Sequence, residues 1–270
     1  MTSFDTPGHV ALRVTVPGGE VTIDTGEERR VEIELVALRD NDASRQLIAE
    51  TRVEKVDRGG SHEILVEAPK RAGSLIGRGP KIGVRIRCPQ ESDLVLRSSS
   101  ADLAVRGMLG AVEVKSASGD VSLQDVASLD AATASGDTEV RDVAGVLTVK
   151  TASGDVSVRR CAGALSVNLV SGDLSVAEAS AGFSVNTVSG DVEVRAAGGG
   201  DMRVQAVSGD VHIGVKPGER LYIDASSVSG TMSSELDLEE SPPVEGPAVE
   251  LRARTVSGDV QITRASAVRA

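Results

Sequence analysis

Large aromatic rings are almost absent. The 270-residue chain has no tryptophan, one tyrosine and two phenylalanines. Carbohydrate sites and single-strand nucleic-acid sites commonly need aromatic stacking platforms, so both classes are disfavoured. A globular core also leans on large rings, whereas a thin solenoid lumen is filled by Val, Leu and Ala. Basic excess is absent too. The net charge is −11, which argues against nucleic acid, whose backbone demands a basic footprint. Residues 1–90 carry 14 acids and 14 bases, so the whole excess falls on residues 91–270. Cysteine is confined to Cys88 and Cys161, without metal-ligand spacing and too few for a disulfide framework. Cys161 reads as a small buried corner residue. No apolar run reaches the length of a membrane span, and Met1-Thr2-Ser3-Phe4-Asp5 has neither a basic nor an apolar leader region. The sequence as given therefore predicts a cytoplasmic protein, with a surface location open if a leader has been removed.

What is present is one stretch repeated: Thr151-Ala152-Ser153-Gly154-Asp155-Val156-Ser157-Val158. The Ser-Gly-Asp triplet starts at Ser118, Ser135, Ser153, Ser171, Ser189, Ser208 and Ser257, with degenerate versions at Ser100-Ala101-Asp102 and Ser229-Gly230-Thr231. From Ser100 the spacings are 18, 17, 18, 18, 18, 19, 21 and 28 residues. A near-fixed period marks a solenoid, in which no repeat buries its own apolar face and each stacks on its neighbours. Six and four residues before the triplet serine stand apolar residues such as Leu165 and Val167; three and five after it stand residues such as Leu174 and Val176. Polar residues lie between them. This is period-two strand patterning with one buried face on both sides of a Gly-containing turn. An antiparallel meander or sandwich would not need one residue type at one phase in every copy. The expectation is an all-β parallel β-solenoid of about nine rungs of ~18 residues, with rungs ~4.8 Å apart.

These repeated Ser-Gly-Asp-Val turns, the β-rich lead-in and the Val-Ser-Gly copy near the end resemble the bacterial putative-adhesin family of β-strand repeat proteins, in its actinobacterial branch. The resemblance covers nearly the whole chain. It implies a parallel β-solenoid and supplies no catalytic residues.

Before the repeats, residues 10–38 alternate as strands, with Pro17-Gly18-Gly19 and Thr25-Gly26-Glu27 as turns. Asp42 is placed to cap a short helix with Ala43, Leu47 and Ile48 on its apolar side. Residues 1–90 read as a β-rich N-terminal cap containing that helix, and residues 91–270 as the solenoid. The 28-residue spacing holds an acidic, Pro-containing loop insertion at about residues 235–250. Lys70 to Lys81 is a basic, Gly-rich connector without the Gly-Lys-Ser/Thr ending of a phosphate loop.

Chemistry concentrates in one column of aspartates: Asp102, Asp120, Asp137, Asp155, Asp173, Asp191, Asp210 and Asp259 share a phase. Carboxylates ~4.8 Å apart repel by about 0.9 kcal/mol per pair even in water. Either each Asp accepts backbone N–H groups at its own turn, or Asp120, Asp137, Asp155, Asp173, Asp191 and Asp210 form a ladder for hard cations. The cation reading lacks the extra glycines and second Asp of calcium-binding β-roll repeats. His9, His62 and His212 are scattered, and no nucleophile–base pair stands out. The expected function is a non-enzymatic scaffold or interaction module, adhesin-like, without cofactor, presenting repetitive polar faces to a protein partner. The alternative is a self-assembling oligomer or filament component, with carboxylate-based catalysis a distant third. The final rung, Asp259 to Arg264, is expected to form an open edge through which Val260, Ile262 and Arg264 make a homodimer.

Overall fold

The structure, a computed structural model, describes residues 1–58, 61–69, 81–217, 221–235 and 249–265. Most of the expected acidic loop, 236–248, and most of the Lys70–Lys81 connector, 70–80, lie outside the described residues. The chain forms two compact units, Met1–Glu139 and Val140–Ala270; the boundary expected near residue 90 falls inside the first. Both are all-β and built from parallel rungs, the solenoid fold expected from the repeat.

The first unit contains β1 (Thr2–Asp5), β2 (Val10–Gly26), β3 (Arg30–Ala37), α1 (Asp42–Glu50), β4 (Arg52–Arg58), β5 (Ser61–Glu67), β6 (Ile82–Pro89), β7 (Asp93–Ser116) and β8 (Val121–Thr133). In β2 the alternation buries Val10, Leu12, Val14, Val16, Val21 and Ile23. The strand does not stop at Pro17-Gly18-Gly19. It bends there, with Gly18 opposite Ser100 and Glu20 opposite Asp102 of β7. This Pro-Gly-Gly-Glu segment is a disguised rung corner, so β2 is a rung that the triplet spacing does not reveal. On its other side β2 pairs in parallel with β5 and β6. Strand β3 pairs antiparallel with β6, β4 with β5, and β1 with β3. The cap is therefore part rung and part antiparallel cover, which ends the parallel stacking there. The helix is capped one residue earlier than expected. Asn41, in extended conformation, accepts the Ser44 N–H at 2.7 Å, while Asp42 sits in the first turn, favourable for the helix dipole.

Strand β9 (Thr138–Val143) spans the unit boundary. The second unit continues with two-strand rungs: β10 (Leu147–Ser153) and β11 (Val156–Cys161); β12 (Leu165–Ser171) and β13 (Leu174–Ala179); β14 (Phe183–Ser189) and β15 (Val192–Ala197); β16 (Met202–Ser208) and β17 (Val211–Val215); β18 (Leu221–Ser229) and β19 (Met232–Ser234); β20 (Val249–Ser257) and β21 (Val260–Arg264). Pairing is in register at the repeat period, as in Val167 opposite Val149 and Val185. The inward columns are buried from Leu147 and Val149 through Leu251 and Val260.

Stacking order departs from chain order at the end of this unit. The last rung in sequence, β20–β21, lies between β16–β17 and β18–β19, parallel to both. Met202 faces Leu251, which in turn faces Ile223. The 28-residue spacing coincides with this reversal. Among the described residues, the rung paired on one side only is β18–β19, Leu221 to Ser234.

Candidate functional site

The repeated rungs turn at their Ser-Gly-Asp corners, and the structure shows why glycine and aspartate recur there. In the second unit the Gly172 N–H donates to the Ser189 carbonyl and the Leu174 N–H to the Asp191 carbonyl, both one rung on. The amide between them, that of Asp173, points the other way and meets no backbone carbonyl. It donates instead to Oδ1 of Asp155 in the preceding rung, at 2.9 Å. The same bond joins Asp191 to Asp173, Asp210 to Asp191, Asp259 to Asp210 and Thr231 to Asp259, at 2.7–2.8 Å. The first unit has it from Asp120 to Asp102 and from Asp137 to Asp120. The expectation that each Asp serves its own turn is thus corrected: each serves the next rung. An anionic acceptor makes a stronger bond than a neutral one, which offsets the repulsion within the column. Gly172 has φ +126°, and a Cβ there would lie 2.3 Å from the Gly154 carbonyl oxygen. Glycine is required on both counts.

The cation-ladder candidates Asp120, Asp155, Asp173, Asp191 and Asp210 therefore each spend Oδ1 on an amide, and Asp137 occupies the same column. No group of three or more His, Cys, Asp or Glu side chains able to hold a metal occurs among the described residues. The expected edge residues lie elsewhere than expected. Val260 and Ile262 are 1% and 2% exposed, and β21 is paired on one side with β17 and on the other with β19. Arg264 pairs in register with Val215. Asp259–Arg264 is an interior strand, not an open edge.

The physical reason is legible in the permuted rung. Thr231 stands where an aspartate would be, and no further rung among the described residues offers it an amide to accept. Met232 and Ser234 replace Val260 and Ile262 in the inward columns, and both are exposed. A rung with those residues serves as an end and would leave a hole as a middle. This degeneracy marks the Ser229-Gly230-Thr231 rung as unlike the others in the sequence, but not which rung it stacks on.

The outer face of the A strands, β10, β12, β14, β16, β20 and β18, is mostly neutral. Asn186 donates to Asn168 at 3.0 Å, and Val170, Val188, Val207 and Val256 form a half-exposed column. The face changes where the rung order is permuted. Arg203 lies in register beside Arg252, and Gln205 beside Arg254. These four side chains line a shallow groove. Arg252 pairs with Glu250 at 2.6 Å, and Arg254 with Asp224 at 3.1 Å. Arg203 has no ion pair among the described residues. On the same outward face is Tyr222, the chain's one tyrosine, 63% exposed and in register with Glu250. This cluster was invisible in the sequence, because residues 203 and 252 become neighbours only through the reversal.

Elsewhere in the second unit, Asp142 gathers Arg141, Arg159 and Arg160, while Glu178 bridges Arg160 and Lys216. Burial pushes the Asp142 carboxyl up, but the Arg159 hydrogen bond and the three guanidinium charges outweigh it and hold it below its ordinary range. The Lys216 hydrogen bond likewise holds Glu178 down. The histidines are apart: His9 faces Asp93, His62 faces Asp57 and His212 faces Thr263. Cys88 and Cys161 are free and buried. Burial pushes the Cys88 thiol to about 12, so it is not a ready nucleophile. No helix among the described residues is long and apolar enough to cross a membrane.

The family described as Toastrack DUF4097 matches residues 10–263. Solved structures with a similar fold include one described as a putative adhesin from Parabacteroides distasonis ATCC 8503, 14% identical, with a TM-score of 0.53, covering 97% of this chain and 95% of its own. A further solved structure that aligns with the chain, described as a putative adhesin from Bacteroides fragilis NCTC 9343, is 9% identical, with a TM-score of 0.48 and coverage of 97% and 95%. No curated protein matches the chain.

Proposed function

We propose, from the premise that the chain belongs to the Toastrack DUF4097 family, that it is a non-enzymatic, adhesin-like interaction module whose outward strand faces bind a protein partner. The observation that carries this is where sequence variety is spent. Inward columns and corners repeat, so the scaffold is nearly invariant along the rungs, while the outward A-strand face changes from Asn and Ser to Arg, Gln and Tyr. Tyr and Arg are enriched at interface hot spots. A scaffold of this kind holds side chains at fixed spacing, which suits recognition.

The test is retention of partners by the immobilised chain, compared with the double variant Val188→Glu and Val207→Glu and with the Arg203→Glu variant. A partner cross-linked to the outward A-strand face and lost in one of these variants supports the reading. Partners cross-linked only elsewhere, or turnover of a small molecule by the parent, overturn it.

A second reading, self-association, is favoured by one specific feature. The β18–β19 rung has an unpaired backbone edge among the described residues and exposes Val228 by 82%. Such an edge pairs readily with another chain. Thr231 disfavours head-to-tail growth, since a copy continuing the stack would find no carboxylate for its corner amide. Twofold pairing of two β18 edges closes the contact and gives a dimer.

A further inference from the structure

We infer that Arg203, Arg252 and Arg254 form a binding site for an extended acidic peptide, an inference that rests on the interaction-module reading and names its partner class. Three observations carry it. First, the repeat is broken here by charge. The same two columns hold Thr148, Ser166 and Ser184, and Lys150, Asn168 and Asn186, on the three preceding rungs, and Asp224 and Ser226 on the end rung. Stacking then sets Arg203 directly opposite Arg252. Like charges in register destabilise a sheet, so this juxtaposition is a local cost that the folded rung order carries. Second, the cluster is short of anions. Three guanidiniums share Glu250 and Asp224, and Arg203 has neither. The Asp224–Arg254 pair is solvent-exposed and weak, so an incoming carboxylate can compete for it. Third, the spacing fits. Arg252 and Arg254 are two residues apart on one strand, ~6.7 Å along it, and Arg203 is one strand spacing, ~4.8 Å, to the side. An extended peptide lying along β20 repeats its same-side groups at the same ~6.7 Å.

Guanidinium forks favour planar carboxylates. Beyond the arginines the same strand face ends in Val256, with Val207 beside it, and Tyr222 stands at the other end. The ligand read from this layout has acids at alternate positions followed by an apolar residue two positions on. Duplex nucleic acid is disfavoured by the net charge of −11.

The test uses the full chain and a labelled, end-capped hexapeptide of alternating threonine and glutamate closed by valine, with binding followed by fluorescence anisotropy. Saturable binding is expected, weakened by added salt, and at least tenfold weaker for the same peptide with glutamine in place of glutamate. Arg203→Glu and Arg254→Gln should each lower the affinity at least tenfold. Lys150→Ala, on the same face but outside the cluster, should leave it unchanged. Arg203 is exposed, so the variant should keep the parent's melting temperature; Arg203→Gln, at least threefold weaker, serves if it does not. No binding at millimolar peptide, equal binding of the glutamine peptide, or indifference to both Arg203 substitutions overturns the inference. If the peptide fails while cross-linking still places a partner on another part of the outward face, the site assignment falls and the interaction reading stands.

Discussion

The amide of Asp173 is held by the side chain of Asp155, one rung away, at 2.9 Å. Two residues of one column thus stand as donor and acceptor, and the column is a chain of inter-rung bonds. Each aspartate's loss should therefore be felt by its neighbour. Asp191→Ala removes the acceptor of the Asp210 N–H and should cost about 1 kcal/mol, like the loss of a helix cap. Hydrogen exchange should quicken at the Asp210 amide more than at residue 191. Faster exchange confined to residues 189–192 would mean that each aspartate serves its own turn after all.

Gly172→Ala should be worse than Asp191→Ala. The positive φ costs about 1 kcal/mol or more for a residue with a Cβ, and that Cβ would press on the Gly154 carbonyl. A total loss of about 3 kcal/mol is expected in urea unfolding. A neutral outcome would show that the corner relaxes and that glycine there is not required.

Val156→Asp tests the inward register. Val156 is buried opposite Leu174, and an unpaired buried carboxylate costs several kcal/mol. The variant should be largely unfolded or insoluble, as judged by circular dichroism and sedimentation. A well-folded, soluble variant would contradict the phase assigned to the column.

The position of the edge gives a paired comparison. Val260→Lys puts a charge into an interior strand, paired on both sides, and should cost several kcal/mol. Met232→Lys, at the equivalent column of the end rung, should cost about 1 kcal/mol or less, because that side chain is already half exposed. Equal losses would restore Asp259–Arg264 as an edge. If the parent scatters light as a dimer, Met232→Lys or Val228→Lys should shift it to monomer; a dimer indifferent to both would locate the contact elsewhere.

The acid limb of stability should depend on Glu178 and Asp142. Lys216 lowers the Glu178 pKa, and the surrounding arginines lower that of Asp142 despite burial. A carboxyl depressed in the folded state stabilises fully above its unfolded pKa and loses that contribution as pH falls through the folded value. The ordinary values are 4.5 and 3.8, so the loss should begin below about pH 4.5 and deepen as the solution becomes more acidic. Each pair is partly solvated, so the combined effect is about 1 kcal/mol. Glu178→Gln should flatten this limb in melting scans, and an unchanged limb would discount the Lys216 contact.

Much of the scaffold was written along the chain. Period-two alternation around Ser-Gly-Asp set which residues point inward, the phase of each rung that carries the triplet and the parallel pairing, because burial of one strand face needs no distant information. The sequence alone also specified a short helix at Asp42, though the capping oxygen comes from Asn41, since both side chains can cap and only the backbone path selects one. It did not disclose β2 as a rung, because Pro17-Gly18-Gly19-Glu20 makes the corner with different residues. It did not place Arg203 beside Arg252 either. Near-identical rungs present near-identical stacking faces, so local pattern fixes how two rungs meet but not which two. That choice was made by the tertiary structure. Placing β20–β21 inside gives Asp259 the Asp210 carboxylate, and it leaves Thr231, Met232 and Ser234 at the end, where no carboxylate and no full apolar column are needed.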